Sequence, residues 1–192
     1  MTAADKRVEY AEDIYSVTES PNGRGLELLC PTRHIRARGD TLNCPTLTIK
    51  LEAEFDDVIS VETTHWSGAK RRLPEFELYP DGRPHGEARI SDRTLYSGGL
   101  AARVSGDAHD FSIAFEDAVS RKNVTSLLNR SVGFAFSPPL GNQMSAENVD
   151  DFKHYIFTQT ELAVGESVHG LGERFGPFNK LGQHVEIWNA DG

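Results

Sequence analysis

Between Thr46 and Phe55 the chain alternates without a break, with Leu47, Ile49, Leu51, Ala53 and Phe55 on one side and Thr48, Lys50, Glu52 and Glu54 on the other. Successive side chains of a strand point to opposite faces, so this spacing predicts a half-buried strand whose apolar face is core. Residues 25–30, 58–64, 76–79, 100–104, 111–116, 132–136 and 155–164 read the same way with less regularity. Pro21-Asn22-Gly23, Pro80-Asp81-Gly82, Ser97-Gly98-Gly99 and Pro138-Pro139-Leu140-Gly141 lie between them, and glycine and proline supply the backbone angles that reverse a chain. Only 145–153, with Ser145 as a cap, has the makings of a short helix. Short strands separated by turns about every ten residues predict an all-β fold, an antiparallel two-sheet β-sandwich, with residues 1–192 forming one domain.

Charge narrows the partners. The 20 Lys and Arg residues against 29 Asp and Glu give a net charge of −9, a field that repels nucleic acid and anionic lipid, so no nucleic-acid partner is expected. No run approaches the ~20 apolar residues of a membrane-spanning helix, and no membrane partner is expected. Arg33, Arg36 and Arg38 with His34 form a small positive stretch, read as the solvated face of a strand. The first fifteen residues hold acidic groups where a signal peptide would be apolar, which predicts a cytoplasmic chain with Cys30 and Cys44 as reduced thiols. Two cysteines at this separation do not make a zinc site, and no cofactor is expected. On a cytoplasmic reading the sequons at Asn123 and Asn129 carry no glycan.

The stretch from Gly165 to Gly192 has another character, interleaving glycines, aromatics and charges. Gly170-Leu171-Gly172-Glu173-Arg174-Phe175-Gly176 is not a dinucleotide loop: its third glycine falls one place late, and Pro177 and Gly182 leave no helix for a pyrophosphate. Glycines here let the backbone turn with positive φ and approach a neighbour closely. Trp188, Asn189 and Asp191 place a flat apolar face beside short polar groups, a combination that suits a sugar. Trp188 is equally readable as a core residue.

Gly170-Leu171-Gly172-Glu173-Arg174-Phe175 followed by Trp188-Asn189-Ala190-Asp191-Gly192 resembles the N-terminal domain of glycoside hydrolase family 31, closer to its α-xylosidase branch than to its α-glucosidases. The lead-in over 157–166 resembles the strand before that motif, and 42–48 and 95–100 resemble earlier segments. The resemblance implies the galactose-mutarotase-like supersandwich, which in the family continues past the Trp-Asn-x-Asp-Gly motif, so the sandwich is expected to be truncated at its C-terminal end. It also implies a retaining α-glycosidase acting on α-linked xylose or glucose. The nucleophile and the acid/base would be aspartates of a following (β/α)8 barrel, the intramolecular partner this domain braces. Asp191 would hydrogen-bond sugar hydroxyls from a loop over the barrel's mouth, with Trp188 beside it as the second substrate-binding residue. Glu173 and Arg174 are read as structural.

Within the chain no catalytic carboxylate pair stands out. Glu12-Asp13, Asp56-Asp57, Glu116-Asp117 and Asp150-Asp151 read as solvated turns or strand ends, and neighbours on a strand point apart. None of the seven histidines is joined by spacing to a base. The expectation is a chain without catalytic residues of its own. Two other classes stay open: a stand-alone carbohydrate-binding module, and a mutarotase-like aldose epimerase working through a histidine acid and a glutamate base.

Overall fold

The computed structural model describes residues 7–65, 86–106, 110–137, 153–172 and 175–187. The chain divides into two units, residues 1–161 and residues 162–192.

Every described strand pair of the first unit is antiparallel. In chain order its strands are β1 (Arg7–Tyr10), β2 (Ser16–Glu19), β3 (Gly25–Pro31), β4 (Thr46–Phe55), β5 (Val58–Thr64), β6 (Ala88–Ser91), β7 (Thr94–Ser97), β8 (Leu100–Ser105), β9 (Ser112–Asp117), β10 (Asn123–Leu127), β11 (Val132–Ser137) and β12 (Lys153–Thr158). They form a four-stranded sheet ordered β2-β3-β4-β5, a five-stranded sheet ordered β10-β9-β8-β7-β6, and a three-stranded sheet ordered β1-β11-β12. One core joins all three: Leu26, Leu28, Leu47, Ile49 and Leu51 from the first, Leu95, Ala102, Ile113 and Phe115 from the second, Val132 and Phe134 from the third. This is the expected all-β sandwich.

β4 organises the core as its alternation demands. Leu47, Ile49, Leu51 and Ala53 are fully buried, and three of them stand opposite Cys30, Leu28 and Leu26 of β3. Each buried leucine or isoleucine contributes about 1.5–3 kcal/mol of transfer free energy. Phe55 departs from the expectation. The register shifts between Ala53 and Phe55, which turns Phe55 out of the inner row and leaves it half-buried. Its carbonyl instead accepts a 2.7 Å hydrogen bond from the buried Ser97 Oγ on β7.

The tip of the β4–β5 hairpin is clasped from several sides. Asp56 Oδ1 accepts from the Glu87 amide and Asp57 Oδ1 from the Gly99 amide. Arg24 Nη2 donates to the Ala53 carbonyl at 2.6 Å and to the Gly86 carbonyl at 2.7 Å. Gly86 lies so close that an added Cβ would sit 2.3 Å from the Asp56 nitrogen, so no other residue fits without backbone movement. Gly133 is tight in the same way, with Phe157 leaning across it to meet Tyr10 edge-on at 5.5 Å between ring centres.

Three expectations need correction. Residues 33–38 are not a strand: a loop leads into a 3-10 turn at Arg38–Thr41, held by Asp40 Oδ2 accepting the Arg36 and Ala37 amides, although Arg33, Arg36 and Arg38 are exposed as foreseen. The strand expected over 155–164 stops at Thr158; beyond it the Gln159 and Glu161 amides donate to the Ser131 and Ser126 carbonyls, and the Glu161 carbonyl accepts from the Thr125 hydroxyl at 3.1 Å. Asp13 is no solvated turn, being 7% exposed. The expected strand at 76–79 and all of the 145–153 helix but Lys153 lie outside the described residues; Lys153 opens β12.

Candidate functional site

Residues 162–187 contain no strand or helix among those described, and side-chain hydrogen bonds do the work of a ladder. Glu166 Oε2 accepts the Ala163 amide at 2.8 Å while the Glu166 amide donates to the Ala163 carbonyl, closing the first turn at Gly165 with φ +87°. The chain then departs and returns. The Lys180 amide donates to the Val168 carbonyl at 2.7 Å, and Asn179 Oδ1 accepts the Leu181 amide at 3.0 Å and the Val168 amide at 3.4 Å. Between these arms Gly170, Leu171, Gly172 and Gly176 all have positive φ, at 122, 70, 70 and 130°. The glycines thus serve the turning role read from sequence, and Leu171 joins them at the cost a side chain bears in that region.

His169 bridges the arms. Its Nε2 lies 2.7 Å from Ser167 Oγ, its Nδ1 lies 3.2 Å from the Phe178 carbonyl oxygen, and its ring packs 4.6 Å from the Phe178 ring. Val164, Phe175 and Phe178 face solvent almost completely. The loop is therefore polar at its base and apolar on its outside, the reverse of a self-sufficient fold. Asp191 and Trp188, the two expected sugar-contacting residues, and the Glu173-Arg174 pair lie outside the described residues.

Elsewhere the fold joins one histidine to a carboxylate across a separation of 21 residues. His34 Nδ1 lies 2.6 Å from Asp13 Oδ2, and Asp13 Oδ1 accepts the Ile14 amide at 2.8 Å. The pair supports Cys30 poorly as a nucleophile: burial first, and the Asp13 carboxylate second, push the Cys30 thiol up to about 12. His184 approaches Glu186 at 3.4 Å, but both are exposed. His65 stacks on Phe134 with ring centres 3.6 Å apart. Glu116, read as a strand end, sits largely covered between Arg103 and Arg121 at 3.4 and 3.6 Å. Asp117 at the β9 end accepts the Ser120 amide and hydroxyl and the Val119 amide, which hold its carboxyl below the usual carboxylate range. Among the described residues no group of three or more His, Cys, Asp or Glu is placed to hold a metal ion, and no helix is long and apolar enough to cross a membrane.

Residues 48–192 match the model of the glycosyl hydrolase 31 N-terminal galactose mutarotase-like domain. An α-xylosidase of Emericella nidulans is 32% identical over 164 residues, which are 82% of this chain and 21% of that protein. The α-xylosidase XylQ of Lactiplantibacillus pentosus is 30% identical over 192 residues, 97% of this chain and 23% of that protein. The chain thus spans about a fifth of the length of these curated relatives.

Proposed function

The chain belongs to the N-terminal galactose mutarotase-like domains of glycosyl hydrolase 31, and from that premise we propose that it is the supporting sandwich of a retaining α-xylosidase. In this reading it braces a catalytic (β/α)8 barrel and lends the segment ending in Asp191 to the substrate pocket. The family match, which covers residues 48–192 and so includes Trp188 and Asp191, carries the proposal. The names of the two relatives favour α-linked xylose over glucose. Cys30 and Cys44, both free thiols, agree with a cytoplasmic setting.

The physical division of labour follows. A glycosidase holds two carboxyl groups about 5–5.5 Å apart for retention, on rigid elements. A loop contact cannot supply that pair, but it can hydrogen-bond a sugar hydroxyl and strengthen that bond as charge develops. Asp191→Ala in the full-length polypeptide should therefore cost about 1.5–3 kcal/mol, a fall of roughly tenfold or more in kcat/KM on an aryl α-xyloside. Unchanged kinetics in a folded variant would remove Asp191 from the pocket.

A further inference from the structure

β3 and β4 are paired neighbours, and a hairpin turn of about two to five residues would join them. Residues 32–45 make the connection instead, and the extra chain walls a pocket. Leu28 and Cys30 of β3 belong to the core, so Leu29 between them points outward and is exposed. Leu29, Thr46 and Tyr15 meet Ile35, Thr41 and Cys44 of the connection around a cavity of about 190 Å³. The connection is tied at base and tip: the Thr32 amide donates to the Pro45 carbonyl at 3.0 Å, Arg33 Nη2 to the Asn43 carbonyl at 2.8 Å, and Asp40 Oδ2 accepts the Arg36 and Ala37 amides at 2.9 Å each. A wall already held in this way loses little freedom when a ligand enters.

The lining defines the occupant. None of the described lining residues is charged. The Thr41 hydroxyl donates its proton to the Arg38 carbonyl at 2.7 Å and the Thr46 hydroxyl to the Cys44 carbonyl at 3.5 Å, so toward a ligand both offer lone pairs only. An occupant is therefore uncharged, brings its own donors, and has an apolar face for Leu29, Ile35 and the ring of Tyr15, which is 63% exposed. The cavity holds the liquid share of about six waters and is smaller than the ~300 Å³ at which drug-sized sites begin, which suits one small ring. A pyranose combines these properties, with hydroxyl donors at its edge and C–H groups on its faces. We propose that this pocket binds a single pyranose, a sugar site made without any residue of the segment that ends in Asp191.

Cys44 reports occupancy. In the full-length polypeptide, with modification by an aromatic disulfide mapped to individual peptides, xylose or glucose at about 100 mM should slow the reaction of Cys44 roughly fivefold or more, and saturably, as millimolar binding requires. Glycerol at the same concentration, which has hydroxyls and no ring, should leave the rate unchanged. Tyr15→Ala, which removes the exposed ring, and Leu29→Glu, which puts a charge into the pocket, should each abolish the protection, whereas Tyr15→Phe should keep it. Asp191→Ala should keep it as well. No protection by either sugar, equal protection by glycerol, or protection that persists in both Tyr15→Ala and Leu29→Glu would overturn the site. Loss of protection in Asp191→Ala would place the sugar elsewhere and overturn it too. Hydrolysis of an aryl α-xyloside is a separate readout: its absence would count against the proposed function and leave the pocket, whose occupancy is read without turnover.

Discussion

His34 and Asp13 meet at 2.6 Å between Nδ1 and Oδ2, with the carboxylate side chain 9% exposed and the imidazole 25% exposed. The contact fastens the segment between β1 and β2 to the loop after β3, next to the backbone bonds from the Glu12 amide to Pro31 and the Tyr15 amide to Leu29. Removing His34 takes its partner from a largely buried carboxylate that also accepts the Ile14 amide, which costs more than removing a surface pair. A double-mutant cycle with His34→Ala and Asp13→Ala, read by denaturant unfolding, should give a coupling of about 1–2 kcal/mol. A coupling near zero would reduce the contact to an incidental one.

The two thiols should behave differently. Cys30 is buried, whereas Cys44 is half-buried at the β4 end with its Sγ 3.6 Å from the Pro45 carbonyl. An aromatic disulfide reagent should modify one thiol rapidly in the native chain, at Cys44, and a second only on unfolding. Two fast thiols would contradict the packing around Cys30.

The raised Cys30 pKa also sets a pH dependence. Unfolded, the thiol ionises near its ordinary 9.0, and folded near about 12, so between these values the native state holds the extra proton. Stability is therefore complete below the lower value and falls as pH rises through the window, by at most about 1.4 kcal/mol per pH unit from this group. Cys30→Ala should show a shallower alkaline decline in unfolding midpoint than the parent. Parallel declines would mean that Cys30 is not the group responsible.

The clasp on the β4–β5 tip should be stiff. Arg24→Ala removes two charge-assisted bonds, to the Ala53 and Gly86 carbonyls, at about 1.5–3 kcal/mol for such contacts. Gly86→Ala drives a methyl to 2.3 Å from the Asp56 nitrogen and the Phe55 carbonyl carbon and should cost at least as much. Thermal unfolding of both variants tests this, and a Gly86→Ala protein as stable as the parent would show that the approach is not a real constraint.

Much of the fold was legible because β4 alternates over ten residues and its neighbours β3 and β5 are long enough to show a pattern. β6 and β7 were not: each has four residues, and the turn between them uses Asp92 and Arg93 at φ 46 and 57° in place of the glycine that marks such hairpins. The bulge at Phe55 left no trace in the alternation. Of the site, the positive-φ glycines at 170, 172 and 176 were readable from composition and spacing, whereas the His169 bridge was not, since Ser167, His169 and Phe178 carry no spacing signal until the loop closes. The Asp13 and His34 contact is likewise made only by the fold.

On the reading proposed above, these 192 residues support glycoside cleavage without performing it. The direct measurement offers an aryl α-xyloside and an aryl α-glucoside to the purified 192-residue chain and to the polypeptide extended through the barrel. Release of the aryl alcohol is expected from the extended protein alone, because the two carboxyl groups the reaction needs must be held rigidly at the anomeric carbon and the leaving oxygen. Release by the 192-residue chain that persists through purification and is abolished by Asp191→Asn would place the chemistry in this domain and contradict the supporting role.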